Sequence, residues 1–353
     1  MVATCGGNDT RTCNLTTELT IGGVALRSRL WCGRAPWLAL DWSDGRQQQA
    51  ILAVAAGLTA ALVVRAAIRA DGRSAPGEPC LDRSADLQLL AQRIAEVRAS
   101  GAELVVELTH GGPRCGDFAP QRPLGPAALR DQVSGRTPRA IDSAELEMLI
   151  SDFAAAGRAA QAAGARLLGL EVANGSLLHA YLSPLTGGAA ASQPAQLPAL
   201  RVTTILAAQL PLVVALCLED QIAGGLTPTA GIATAQALVQ AGASALVVSS
   251  GHRWARHLSD QQRPPAALVE GRAARLGHWV KRTLLLPVGV VGGLRSRAGI
   301  DALLAAGALD FAVLERPFAC QPDLGRQLAA LDGRSACISG AACLRPVPTW
   351  RAR

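Results

Sequence analysis

Eight short apolar runs recur along the chain, each followed by a helical pattern, and this alternation narrows the fold more than any other feature. The runs fall at residues 30–33, 60–64, 103–108, 166–171, 212–218, 245–249, 288–291 and 311–314. Helical patterns occupy 47–56, 85–99, 143–163, 200–210, 232–241, 268–283, 298–306 and 324–331. The apolar runs do not alternate with polar residues, as a strand covered on one face would. They read as strands buried on both faces, the habit of a parallel sheet. Eight strand–helix units predict a closed (β/α)8 TIM barrel, with an open doubly wound sheet as the runner-up. Residues 18–26 add an N-terminal β-hairpin with Gly22 and Gly23 at its turn. The expected organisation is a polar leader over 1–17, a barrel over 18–335 and a tail over 336–353.

Composition agrees with an enclosed core. Half of the 353 residues are apolar and 17% are charged, enough to bury a large interior. The net charge of +7 comes from scattered Arg, without aromatic interleaving or a dense basic run, so nucleic acid is not an expected partner. The most apolar segment, 51–64, is shorter than the roughly 20 residues that cross a bilayer. No membrane span and no secretory leader are expected, and the default location is cytoplasmic. Nine scattered cysteines suit reduced thiols. A small molecule is the expected partner; homodimerisation is left open.

In a (β/α)8 barrel the chemistry lies at the carboxy-terminal ends of the strands. That rule gathers Glu107 and His110 after the third strand, and Glu171 and Asn174 after the fourth. It adds Glu219 after the fifth, Ser249 to His252 after the sixth, Gly292 and Gly293 after the seventh, and Glu315 and Arg316 after the eighth. A glycine pair after strand seven suits a phosphate cup made of backbone amides, or simply a tight turn. No metal-ligand spacing stands out.

These pieces, in this order, resemble the old yellow enzyme family of FMN-dependent ene reductases, also called NADH:flavin oxidoreductases. The matching stretches are the hairpin ending in Ser28-Arg29, Glu107-Leu108-Thr109-His110-Gly111-Gly112, the helix over 140–164, Leu177 to Pro184, Pro287 to Gly293, and Asp310 to Leu324. The resemblance implies a flavin-binding barrel, and the departures fall on the residues that would hold flavin and substrate. Where the family has His, His or Asn, and Tyr after strand four, this chain has Glu171, Asn174 and Ser176. Where it has a Gln and an Arg toward the flavin ring, this chain has Glu107 and Ala215, an acceptor-only carboxylate and a methyl. Glu315 stands at a glycine of the phosphate motif, which would set a carboxylate against a phosphate. Of the family's late cysteine stretch only Cys337 and Cys343 remain.

The departures lead to the expectation of a barrel that has lost FMN and needs no cofactor. It would run a non-redox, acid/base-assisted cyclisation or isomerisation on an unsaturated carbonyl or polyketide-like molecule. The alternative is an FMN-dependent NAD(P)H ene reductase with a divergent site, held by Gly292, Gly293 and Arg316; the third reading is a non-catalytic scaffold. Glu171, Asn174 and His110 are the expected catalytic residues, and Ser176, Glu107, Trp37, His252 and Tyr181 the expected substrate contacts. Trp37 would act with Trp31 and Trp42 at the rim. An apolar pocket would raise the pKa of Glu171 into the range of a general acid or base. Glu171→Gln is then expected to abolish turnover and leave the fold intact.

Overall fold

The structure, a computed structural model, describes residues 13–34, 45–75, 77–117, 122–187, 197–255 and 274–337. A hairpin of β1 (Leu19–Ile21) and β2 (Val24–Leu26) opens the chain. Gly22 and Gly23 take φ of 53° and 85° at its turn, a left-handed conformation that residues with a Cβ avoid. Then come β3 (Leu30–Cys32), β4 (Thr59–Ala67) and β5 (Glu103–Thr109). A two-residue pair, β6 (Leu124–Gly125) with β7 (Arg139–Ala140), sits in the connection after β5. The remaining strands are β8 (Leu168–Val172), β9 (Leu212–Cys217), β10 (Ala245–Ser249), β11 (Val288–Val291) and β12 (Phe311–Leu314).

Eight of these strands close a barrel in the order β3-β4-β5-β8-β9-β10-β11-β12, β12 returning to β3. Every neighbouring pair in it is parallel. This is the expected (β/α)8 topology and not an open sheet. The helices start where the chain supplies caps. Asp142 and Glu145 form a reciprocal capping box for Ser143–Ala162, and Thr227 and Ser296 accept from backbone amides at the starts of Pro228–Gln240 and Arg297–Ala305.

Successive strand residues point to opposite faces, so the barrel divides its apolar residues into two groups. Trp31, Val63, Val105, Leu167, Val213, Val247, Phe311 and Val313 fill the interior together with Leu19, Ile21, Val24 and Leu26 of the hairpin. The hairpin therefore plugs the end from which the strands start. Residues facing the other way pack against the helices.

Several expectations shift. β4 runs three residues further than its apolar core suggests, to Ala67, because Arg65 does not end it. The last helix stops at Gln327. Trp31 is buried inside the barrel, its ring centroid 4.5 Å from that of Phe311, and not at the rim. Trp37 and Trp42 lie outside the described residues, as do 1–12 and 338–353. Cys32, Cys80, Cys115 and Cys217 are free thiols.

Candidate active site

Two steps beyond the apolar interior, the same alternation carries polar residues to the inner face of the barrel mouth. Val63 leads to Arg65, Val105 to Glu107, Leu167 through Gly169 to Glu171, Val247 to Ser249 and Val313 to Glu315. Arg34, just past β3, and Arg114, in the 3-10 turn Gly112–Asp117 after β5, complete the layer.

These groups pair densely. Arg34 donates from both Nε and Nη2 to the two oxygens of Glu107, the second contact at 2.6 Å, and its Nη1 lies 3.1 Å from Glu171 Oε1. Arg114 grips Glu171 from Nη1 at 3.0 Å and Nη2 at 2.7 Å, and Thr109 Oγ1 donates to Glu171 at 2.6 Å. Arg114 also donates to Ser74 Oγ and to the backbone oxygen of Asn174. Arg65 stands 4.0 Å from Glu171 and 3.6 Å from Glu78.

Three guanidiniums around one carboxylate reverse the expectation for Glu171. Burial alone would raise its pKa, but Arg114, then Arg34, hold it well below the usual carboxylate range. The expected general acid or base is a permanent anion near neutrality. Glu107 goes the other way: burial pushes it up against the pull of Arg34, and the adjacent charge of Glu171 adds to the rise.

The other expected site residues separate. Ser176 donates its hydroxyl to the backbone oxygen of Glu171 at 3.1 Å and precedes the helix Leu177–Leu182. Asn174 takes a left-handed φ of 58°. His110 is buried against Gly72, its Nδ1 accepting from Gly112 N at 3.0 Å, and burial lowers it to about 4. Tyr181 packs in the layer between barrel and helices, not at the mouth, and burial raises its pKa to about 12.

His252 belongs to a second polar cluster, across β9 and β10. Its ring lies 5.1 Å from that of His179, and burial lowers its pKa to about 3. His179 Nε2 faces Asp220 Oδ1 at 3.2 Å, and with Cys217 these residues offer three donor atoms within 4.8 Å of one another. His179 Nδ1 accepts from Gly175 N at 3.0 Å. The proton of the neutral ring therefore sits on Nε2, facing Asp220, and a metal ion there would require an imidazolate. Charging the ring puts a second proton on Nδ1, which costs the contact with Gly175 N. Burial opposes the charge on His179, but Cys217 and Asp220 raise it to about 10.

The residues present fit a flavin with altered partners. Gly292 and Gly293, with φ of 116° and 75°, turn the backbone after β11 just ahead of the helix Arg297–Ala305. Glu315 leans over Gly33, where an added Cβ would meet its Cγ at 2.5 Å, and its charge acts on Arg34. It is directed across the β12–β3 seam, so it does not decide the phosphate corner. At the inner face, guanidiniums supply hydrogen-bond donors beside the carboxylate of Glu107.

Arg34, Arg65, Arg114, Thr109 and Glu78 were not picked out by sequence patterns. One signal was present: Arg65 interrupts an otherwise apolar strand, and a charge in that setting needs partners.

Comparison with known proteins places this site in a family. The model of the NADH:flavin oxidoreductase / NADH oxidase family matches residues 18–190. An NADPH dehydrogenase of Geobacillus sp. (strain WCH70) is 23% identical over 341 residues, covering 90% of this chain and 96% of that protein. An NADH oxidase of Thermoanaerobacter brockii is 25% identical over 343 residues, covering 91% of this chain and 51% of that protein. The chain spans only about a third to a half of the first curated relatives it matches. The structure of morphinone reductase in complex with tetrahydroNAD shares the fold, with a TM-score of 0.72, 20% identity and 90% coverage of both chains. No helix among the described residues is long and apolar enough to cross a membrane.

These matches overturn the expectation of a barrel without a cofactor: the family is one of flavin oxidoreductases, which points to FMN with NAD(P)H. The non-redox reading gives way with it. The chain is an old-yellow-enzyme-like (β/α)8 barrel whose residues 18–190 match the NADH:flavin oxidoreductase / NADH oxidase family.

Proposed function

We propose that the chain is an FMN-dependent NAD(P)H oxidoreductase that reduces a small-molecule acceptor without a protein proton donor at the position of Glu171 or Ser176. FMN, when bound, supplies the redox chemistry, taking hydride from the nicotinamide and passing electrons on. Gly292, Gly293 and Arg316 are the residues proposed to hold its phosphate, and Arg34 to face its ring.

The observation that carries this reading is the state of Glu171. A carboxylate gripped at both oxygens by Arg114 and approached by Arg34 is anionic throughout the neutral range. It neither gives nor takes a proton there, which removes the central actor of an acid/base cyclase. Ser176 has its hydroxyl proton committed to a backbone oxygen. Proton delivery to the reduced product then falls to solvent, or the acceptor needs none.

The test is steady-state NAD(P)H oxidation by FMN-loaded protein with dioxygen, a quinone or an activated alkene as acceptor. Flavin-dependent nicotinamide consumption with at least one acceptor is expected. No consumption with any acceptor, by protein shown to hold FMN, would refute the reading.

A further inference from the structure

Arg65 carries five N–H donors on the inner face of the barrel mouth and donates no hydrogen bond to any described residue. Its two contacts are ion pairs at 3.6 Å to Glu78 and 4.0 Å to Glu171. Arg guanidiniums this enclosed are ordinarily saturated with acceptors. Glu171 is held by Arg114 and Thr109. Glu78 accepts at Oε2 from the backbone amide and hydroxyl of Ser74 at 2.6 and 3.0 Å, and its Oε1, which faces Arg65 Nε, stays beyond hydrogen-bond distance.

Arg34 is partly in the same position. Its Nε and Nη2 are spent on Glu107 and its Nη1 reaches Glu171, which uses three of five N–H groups. One N–H on each terminal nitrogen is left over, and the contact with both oxygens of Glu107 fixes the guanidinium plane. Arg34 Nη1 and Arg65 Nη1 approach the same oxygen, Glu171 Oε1, at 3.1 and 4.0 Å. The two guanidiniums therefore converge, and their side chains, 16% and 15% exposed against 4% for Glu107 and 0% for Glu171, are what a ligand lying over the mouth meets first.

The rest of the inner face offers little to a ligand seeking donors. Glu107, Glu171 and Glu315 are acceptors when ionised, and Ala215 is a methyl. Among the described residues of this layer, the arginine pair presents the largest set of unspent donors to a planar ligand with a row of carbonyl oxygens and ring nitrogens. The pyrimidine edge of a flavin is such a row, and it becomes more negative when the ring is reduced.

We propose that Arg34 and Arg65 together form the donor pair that receives the acceptor edge of the flavin ring, Arg34 as the oriented member and Arg65 as the one with free donors. The assignment rests on the reading that this chain takes up FMN. A fixed positive pair beside that edge favours the more negative, reduced ring and so raises its midpoint potential. Both are positioning residues for the cofactor, with no proton to give.

The experiment is titration of the protein with FMN and with lumiflavin, which has the ring but no phosphate, followed by measurement of the midpoint potential of the bound FMN. Wild type is compared with Arg65→Met, Arg65→Lys and the double variant Arg34→Ala/Glu107→Gln. The double variant removes a charge pair together and so leaves no buried carboxylate stranded. Thermal melting confirms that each variant is folded. Arg65→Met is expected to weaken lumiflavin binding by about tenfold or more, the scale of one charge-assisted hydrogen bond. Its bound FMN has a lower potential, and Arg65→Lys recovers part of that potential. Wild type that binds both flavins, with folded variants unchanged in affinity and potential, would overturn the arginine pair and leave the FMN reading standing. Wild type that takes up neither flavin would overturn both.

Discussion

Arg114 holds both carboxylate oxygens of Glu171, at 3.0 and 2.7 Å, at the barrel mouth. Both side chains are buried, and a buried pair broken on one side leaves a charge without compensation. Glu171→Gln is expected to destabilise the fold by about 3–5 kcal/mol, in contrast to the expectation from sequence of an intact fold. Replacing both partners, as in Glu171→Gln/Arg114→Met, restores a good part of that loss. Urea denaturation of the two variants checks it. A single variant as stable as wild type would show that the pair is not the clamp its geometry indicates.

The His179–Asp220 pair sets a pH window. His179 moves from an ordinary value of 6.5 up to about 10 in the fold. Its stabilising contribution is complete below the unfolded value and is lost as pH rises toward about 10. For Asp220, burial opposes ionisation, but His179 and the amide of Leu226 lower it from 3.8 to about 2. That contribution is complete above 3.8 and is lost as pH falls toward about 2. Melting temperature is therefore expected to decline between about pH 6.5 and 10. His179→Gln flattens that limb, and an equal decline in this variant would assign the alkaline loss to other groups.

The barrel itself was legible because its signal is local and repeated: eight apolar runs of strand length, capped helices, and a glycine pair in the hairpin. The strands from β10 onward fall on the expected residues. The mouth was not legible, because its partners come from positions 34, 65, 107, 114 and 171 and meet only when the barrel closes. Glu171 illustrates the difficulty. Its place at a strand end was readable from periodicity, but the sign of its pKa shift depends on Arg114 in a turn with no pattern of its own. An apolar pocket and a three-arginine pocket are indistinguishable until those segments converge.

Asp131 ties two loops over this face. It accepts from Trp254 Nε1 at 2.6 Å and from the amide and hydroxyl of Ser134, both at 2.7 Å, and lies 3.6 Å from Arg253. The first and last contacts join the loop after β5 to the segment after β10. Asp131→Ala leaves the buried indole N–H and the guanidinium without this acceptor, which costs about 1–3 kcal/mol locally. Amide hydrogen exchange should accelerate over 122–140 and around Trp254 while the barrel strands stay protected. Unchanged exchange in both segments would show that the loops are held by other contacts.

Gly169 makes the close approach of β8 to β5 under the site. Its φ is not among the positive ones, so backbone conformation does not demand glycine. Packing does: a Cβ at residue 169 would stand 2.9 Å from both Cα and Cβ of Glu107, its partner in the strand register. The obstructing atoms include the backbone of a paired barrel strand, which cannot swing aside as a flexible side chain would. Gly169→Ala therefore has to displace Glu107, and with it the carboxylate that orients Arg34. Overpacking of this kind costs about 1–3 kcal/mol, a loss that urea denaturation reads directly. If FMN depends on the orientation of Arg34, the same variant also weakens flavin binding, and Gly169→Ala with wild-type stability would mean that the two strands separate more easily than their register allows.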